Sequence, residues 1–333
     1  MPETRFDVLA IGNAIVDVMA RTEEDFLLAE GLTKSTMHLI DGARAATLHS
    51  RMNAAIERSG GSAGNTAAGV ASLGGRAAFI GKVADDLLGA FYRDDMRASG
   101  VHFATPPLPA GEPTARSMIL ITPYGERTMN THLGACQALS PDDIDADVVT
   151  TSAITYLEGY LWDPPEAKKA FRRAAAIAHH ASRKVSITLS DSFCVDRFRD
   201  EFLELVRSRT VDILFANDAE LKSLYQTSSL EAAVTALRQD CTLAAVTVGG
   251  DGALVVTAEG VTAVPAAPVE TVADLTGAGD LFASGFLFGV ARGMDLVDAA
   301  RLGTIAAAEV IGHIGPRPTH SLRALAREAG FAL

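Results

Sequence analysis

Short apolar, β-branched runs alternate with longer alanine-rich stretches of helical period along most of the chain, and this alternation limits the fold more than any other feature. A strand covered on both faces reads as a continuous apolar run, so the pattern describes helices laid on both sides of a mostly parallel sheet, an α/β protein. Strands are predicted at Asp7–Ile11, Ala77–Ile80, Ala153–Leu157, Val185–Leu189, Val211–Phe215 and Leu243–Val248. Helices are predicted at Asn65–Ser72, Pro165–His180, Leu230–Gln239 and Gly277–Ala291. Two places break the alternation: Leu32–Ile40, and the runs Ser117–Thr122 and Arg127–Thr131, whose connection Pro123-Tyr124-Gly125-Glu126 reads as a hairpin turn. They predict a small separate sheet, hinged at the neighbouring Gly and Pro residues and placed to close over a pocket. The length of 333 residues suits one large α/β domain with such an appendage, or two domains of about 150 residues each.

Charge narrows the partners. With 41 acidic residues against 29 lysines and arginines, a formal charge of −12, general attraction to nucleic acid or an anionic membrane is disfavoured. Cys136, Cys194 and Cys241 are widely spaced and odd in number, which suits buried thiols better than a disulfide framework. The start MPETRFDVLAIGNAIVD runs directly into a predicted strand without a signal-peptide pattern, and no apolar run reaches the roughly 20 residues of a membrane helix, so the expected location is cytoplasmic.

The segment Asp274-Leu275-Thr276-Gly277-Ala278-Gly279-Asp280, followed by the apolar run Leu281–Val290, carries the most chemistry. Small residues at 277–279 let backbone approach a ligand, and the unpaired N–H groups that open a helix favour an anion. Asp280, in the first turn, then has a carboxylate beside that anion site, within reach of the proton of an attacking hydroxyl. A helix-dipole partner is the other role open to Asp280. Two nucleotide motifs are excluded. Gly75 to Lys82 has one residue too many for a Walker A loop and Val83 where Ser or Thr would hold magnesium, and Phe282 takes the last glycine position of a GxGxxG. An HExxH is lacking, which removes the common zinc-protease pattern, and a Ser-His-Asp triad on Ser62 or Ser190 has little support.

A second glycine cluster, Gly60-Gly61-Ser62-Ala63-Gly64-Asn65, precedes another helical run; Asn65 is either an N-cap or an amide that grips hydroxyls. Asn13 and Asp17 follow the first strand, where α/β proteins bind ligands; an amide with a carboxylate suits a vicinal diol, and either residue alone reads as well as a loop or cap residue. Asn217 and Glu220 read either as a capping box or as a pair that organises Mg²⁺ through its water shell. Thr247, Gly249 and Gly252 mark a turn where a nucleotide can lie against backbone.

Together these residues resemble the ribokinase-like, or pfkB, family of carbohydrate and nucleoside kinases. Gly60-Gly61 to Gly64-Asn65, with Gly74 and Gly89, is similar to the family's first signature, DLTGAGD at 274–280 to its second, and FANDAE at 215–220 to its NxxE element. The resemblance implies a doubly wound, mostly parallel sheet flanked by helices with a small β-sheet lid, here from about 13–40 and 102–133. It implies ATP and Mg²⁺, the latter at Glu220 through water, and a candidate K⁺ site at Asp274 and Thr276. By the same match Asp280 is the base, Gly277, Ala278 and Gly279 the anion hole, and Arg127 a cation that reaches the transferring phosphate. Asn13, Asp17, Gly60, Gly61, Ser62 and Asn65 are the acceptor's ligands, and Asn217, Glu220, Thr247, Gly249 and Gly252 the nucleotide's. Leu275 stands where the family often carries threonine. GNAIVD at 12–17, TLSDSF at 188–193 and Ser62, in place of the lysine of ribokinases, are most similar to the adenosine-kinase branch. The expected reaction is phosphorylation of a nucleoside, adenosine to AMP, by a monomer or homodimer. A free-sugar kinase of ribokinase, fructokinase or ketodeoxygluconate kinase type and a non-catalytic nucleoside sensor are the alternatives.

Overall fold

The structure, a computed structural model, describes residues 3–53, 55–124 and 126–333. Its strands are β1 Phe6–Ile11, β2 Ile15–Arg21, β3 Met37–Leu39, β4 Ile56–Ser59, β5 Ala77–Ile80, β6 Val101–Phe103 and β7 Ala115–Ile121. They continue with β8 Arg127–His132, β9 Ser152–Glu158, β10 Lys184–Thr188, β11 Ile213–Asn217, β12 Leu243–Thr247, β13 Ala253–Thr257 and β14 Val261–Val264. Among the described residues nine of these form one sheet in the order β14-β13-β12-β11-β10-β9-β1-β5-β6, parallel from β12 to β6 and closed at one edge by two antiparallel strands.

Successive side chains of a strand point to opposite faces, and both faces of this sheet are covered. Leu9 and Ile11 of β1 pack with the helix Pro165–His180 in one core, while Val8 and Ala10 pack with Ser62–Ser72 and Ala278–Ala291 in the other. The order runs outward from β1 in one direction through β5 and from β9 in the other, so the chain reverses its winding between β1 and β9. In such sheets the crevice at the carboxyl ends of the two strands at the reversal is where ligands bind. Close helix packing anchors that end: a methyl group at Gly285 would lie 2.5 Å from the backbone nitrogen of Gly303 in the helix Leu296–Ile311, and one at Gly69 would lie 2.4 Å from Ser284 Oγ.

The second sheet has the order β3-β8-β7-β2-β4. The hairpin β7–β8 is antiparallel, with Arg127 opposite Ile121; Gly125 of the predicted turn lies outside the described residues. One face buries Met118 and Leu120 under the helix Gly42–Arg51. On the other, the period of two aligns Asp17, Ser117 and Thr131 in one row and Arg21, Ile121 and Arg127 in another, so Asp17 and Arg127 share a face. The strands of this sheet do not all fall in the segments expected to form a lid. β4 lies beyond 13–40, and β6 at the start of 102–133 pairs with β5 in the large sheet, because Val101 and Phe103 are buried there against Phe79 and Tyr92.

Several predicted bounds move. The helix predicted from Asn65 begins at Ser62, which places Asn65 inside its first turn instead of at its cap. The helix predicted from Gly277 begins at Ala278, with Gly277 left-handed at φ 84° as its cap. Cys136, Cys194 and Cys241 are free and buried, and no helix of the described residues is long and apolar enough to cross a membrane.

Candidate active site

Two helix starts meet at the crevice. Ser62, Asn65 and Thr66 lie at helical spacing on one face of Ser62–Ser72, and all three turn to Asp280 in the first turn of Ala278–Ala291. Ser62 Oγ donates to Asp280 Oδ1 at 2.6 Å, Asn65 Nδ2 to Oδ2 at 2.8 Å, and Thr66 Oγ1 to the Asp280 carbonyl at 3.1 Å. Asp280 is half-buried, and removal of its carboxyl from water raises its pKa against the opposing hydrogen bonds of Ser62 and Asn65 and the charge of Arg317. A carboxylate with reduced preference for its charged form and two fixed donors has the character of a base that takes and returns a proton.

The loop around Gly277, the expected anion hole, is held from behind. A methyl group at Gly277 would strike Pro316 at 2.8 Å, whereas one at Gly279 would meet nothing within 4 Å, which leaves room for a ligand over the open helix end. Leu275 is exposed.

Among the residues expected to hold the acceptor, Gly60 and Gly61 let backbone come close. A methyl group at Gly60 would lie 2.3 Å from Asp17 Oδ2, and one at Gly61, which has φ 82°, would lie 2.2 Å from the Asn13 carbonyl. Asp17 is buried on β2; burial drives its pKa up to about 7 against the charges of Arg317 and Arg127, and Asp280 adds to the rise. Asn13 Nδ2 donates to Glu158 Oε1 at 2.6 Å, and its buried Oδ1 has no protein partner, an acceptor suited to a ligand hydroxyl. Glu158, at the end of β9, was not picked out from the sequence. It also accepts from the Ala63 N–H at 2.8 Å, and burial drives its pKa up to about 7 against those hydrogen bonds. A charged residue closing an apolar strand run was the signal for it. Arg317, buried behind Asn65, left no comparable mark.

Of the residues expected to face a nucleotide, Asn217 ends β11 directly opposite Thr247 at the end of β12. Asn217 and Glu220 form the capping box: Asn217 Oδ1 accepts from the Glu220 N–H at 2.8 Å, and Glu220 accepts from Asn217 N at 2.9 Å and Nδ2 at 2.6 Å. Both Glu220 oxygens are thus engaged, so the donor set fits Mg²⁺ through water. Burial drives Glu220 up to about 7, and the like charges of Asp191 and Asp218 add to it, a field that a hydrated divalent cation would relieve. Methyl groups at Gly249 and Gly250 would meet nothing within 4 Å, whereas one at Gly252 would strike the Val264 carbonyl at 2.1 Å, so Gly252 serves the turn and the first two face open space.

Asp274 and Thr276, the candidate K⁺ residues, are engaged by protein groups in this arrangement. Asp274 Oδ1 accepts from Thr276 Oγ1 at 2.8 Å, and Oδ2 accepts from the Gly315 N–H at 3.0 Å. Arg127 Nη2 lies 2.5 Å from the same Oδ2, an ion-pair contact without hydrogen-bond alignment, while Nη1 donates to Thr276 Oγ1 at 3.0 Å. A guanidinium thus pairs with the Asp274 carboxylate. Lys82, of the discarded Walker-like segment, is instead paired with Asp143 at 2.5 Å.

Known proteins share this fold over nearly the whole chain. The crystal structure of adenosine kinase from Sinorhizobium meliloti, 57% identical, superposes with a TM-score of 0.91 over 98% of this chain and 100% of that one. A probable sugar kinase from Rhizobium etli CFN 42 does so at 55% identity and a TM-score of 0.92, over 98% and 99% of the two chains. Aminoimidazole riboside kinase of Salmonella typhimurium is 31% identical over 256 residues, 73% of this chain and 76% of its own. Residues 7–322 match the pfkB family carbohydrate kinases as a unit, so the chain belongs to that family of kinases.

Proposed function

We propose that this kinase transfers the γ-phosphoryl group of ATP to the 5′-hydroxyl of a nucleoside, adenosine in the first place. The observation that carries the reading is the convergence of Asp280 with Ser62 and Asn65 at an open helix end, with Asp17 and the unpaired Asn13 oxygen beside it. Asp17 and Asn13 hold the ribose hydroxyls, Asp17 as acceptor and Asn13 through its free oxygen. The 5′-hydroxyl oxygen forms its bond to the γ-phosphorus, its proton passes to an Asp280 oxygen, and the bond from the γ-phosphorus to the β–γ bridging oxygen breaks, that electron pair leaving with ADP. The N–H groups of Gly277 and Gly279 offset the charge that develops on the equatorial oxygens, while that of Ala278 donates to the Leu275 carbonyl at 3.2 Å. Thr247, Gly249 and Glu220 face the nucleotide, and Mg²⁺ held through water at Glu220 would neutralise phosphate charge. The second sheet closes over the crevice as a lid, and Arg127 brings a cation from its inner face to the loop at 274–276.

The two glycines of the anion loop separate fold from catalysis. Gly277→Ala is expected to lose about 1–2 kcal/mol of stability, from a left-handed backbone that alanine resists, plus the displacement of Pro316. Gly279→Ala should gain about 0.5–1 kcal/mol as a helix substitution, yet lose turnover about tenfold by filling the space over the helix end. Denaturant unfolding and steady-state rates on both variants check this; full activity in Gly279→Ala would move the phosphate elsewhere.

A free-sugar acceptor is the second reading, favoured by the 55% identity to a probable sugar kinase. Adenosine, inosine, guanosine, ribose, fructose and ketodeoxygluconate, each supplied with ATP, separate the two. We expect kcat/KM for adenosine to exceed that for every free sugar by at least about a hundredfold, because a lost base contact leaves buried groups unpaired. A sugar turned over faster than any nucleoside would reverse the assignment.

A further inference from the structure

The segment that follows the helix Leu296–Ile311 touches the site at three successive residues. Gly315 N–H donates to Asp274, Pro316 backs Gly277, and Arg317 reaches past both to the acceptor helix. Arg317 is a buried cation. Its Nε donates to Asn65 Oδ1 at 2.8 Å and its Nη2 to Ser59 Oγ at 3.1 Å, and Ser59 Oγ in turn donates to Asp95 at 2.6 Å. A guanidinium only donates, so the Asn65 oxygen must face it and the Asn65 NH₂ must face Asp280, which as a carboxylate only accepts. Asp280 draws the NH₂ from one side and Arg317 holds the oxygen from the other, so without Arg317 the amide is fixed at one end only.

We propose that Arg317 is a positioning residue for phosphoryl transfer: it fixes the orientation of Asn65 toward Asp280 and supplies the buried counter-charge for the carboxylates of Asp17 and Asp280. This rests on the reading of Asp280 as base and Asp17 as acceptor ligand. The groups around it are Asp17 on β2, Asp280, and Asp95 and Tyr92 on the helix Leu87–Ala98, all of which favour its charged form against burial. Glu158 on β9 and Tyr156 and Tyr160 face Asp280 as well. Arg127 also acts on Asp17, but it is committed to Asp274 and Thr276. Loss of Arg317 therefore leaves like charges enclosed together with one fewer cation.

The test uses the full chain with Arg317→Gln and Arg317→Lys, assayed with whichever acceptor the wild type turns over. Arg317→Gln is expected to lower kcat about ten- to a hundredfold, as a misplaced catalytic group does, with KM for ATP unchanged. The acidic limb of its kcat/KM profile should move up by about one pH unit, since the carboxylates lose a stabilising charge. Arg317→Lys keeps the charge, so its limb should stay near the wild-type position. Its kcat should still fall about tenfold, because one ammonium lacks the fork that spans Asn65 and Ser59. An independent readout is the thermal midpoint: Arg317→Gln should lose more at pH 8, where the enclosed carboxylates are charged, than at pH 6. Equal losses at both pH values, or an unmoved acidic limb in Arg317→Gln, would reduce Arg317 to packing. Wild-type kcat in Arg317→Lys would remove the orienting role, and that variant decides the point if the glutamine form does not fold. A wild type that turns over none of the acceptors would defeat the assigned reaction, while the two midpoints would still decide the role of Arg317.

Discussion

Asp280→Asn is expected to cut turnover by about 10²–10⁴-fold or more while ATP still binds and the fold is kept. The amide replaces one oxygen by a donor, which Ser62 Oγ can accept, and leaves the other oxygen to accept from Asn65 Nδ2, so both contacts now made by Asp280 survive. What disappears is the group proposed to take the hydroxyl proton. Stability moves the other way. The folded pKa of Asp280 is raised, so its favourable contribution is complete below the ordinary value of 3.8 and is lost as pH climbs through the folded value. An amide at this position avoids that loss. The variant should therefore resist denaturant better than wild type at pH 8 and no better at pH 3. Initial rates, calorimetric ATP titration and unfolding at the two pH values test the three parts; near-wild-type turnover would remove Asp280 from the chemistry.

The helix end that carries Asp280 was legible because its chemistry is local: small residues, a cap, and a carboxylate one turn in, all within seven positions of sequence. The alternation of apolar runs with helical stretches was legible for a related reason. Strands covered on both faces, such as Ala77–Ile80, have no polar side to confuse the pattern. β2 and β4 were missed because they follow a different rule. Ile15–Arg21 carries Asp17 in its middle and starts only four residues after β1 ends, and Ile56–Ser59 alternates exposed and covered residues over four positions. Their pairing across the second sheet decides that they are strands. Glu158 and Arg317 were missed for a stronger reason. The first acquires its meaning from the reversal between β1 and β9, which brings it to Asn13 across 145 residues, and the second from a loop that reaches Asn65 across 252. The pairing of Arg127 with Asp274 is a contact of the same kind, since Arg127 comes from the second sheet.

Asp17→Ala should weaken the acceptor and leave the nucleotide alone. Asp17 is enclosed by the close backbone of Gly60 on one side and shares its sheet face with Ser117, so its oxygens are available to hydroxyls that enter from the crevice. Two hydrogen bonds to a charged acceptor, at about 1.5–3 kcal/mol each, set the expected loss in kcat/KM for the acceptor at roughly two orders of magnitude or more. KM for ATP should stay within about twofold, because phosphate charge is met by the helix end and not by Asp17. The pH dependence identifies the charged form as the one that works. With a folded pKa of about 7, Asp17 accepts hydroxyls better as pH rises through that value, so kcat/KM for the acceptor should climb there in wild type and lose that step in the variant. Stability has the opposite slope: a carboxyl whose folded pKa lies above 3.8 stabilises the fold in acid and loses that advantage as pH passes about 7. The alanine variant should accordingly gain on wild type in unfolding experiments at pH 8 relative to pH 5, offset by the packing lost with the side chain. A change confined to the affinity for ATP would mean that the acceptor and nucleotide pockets are exchanged, and the ribose would then have to be sought beside Thr247 and Gly249.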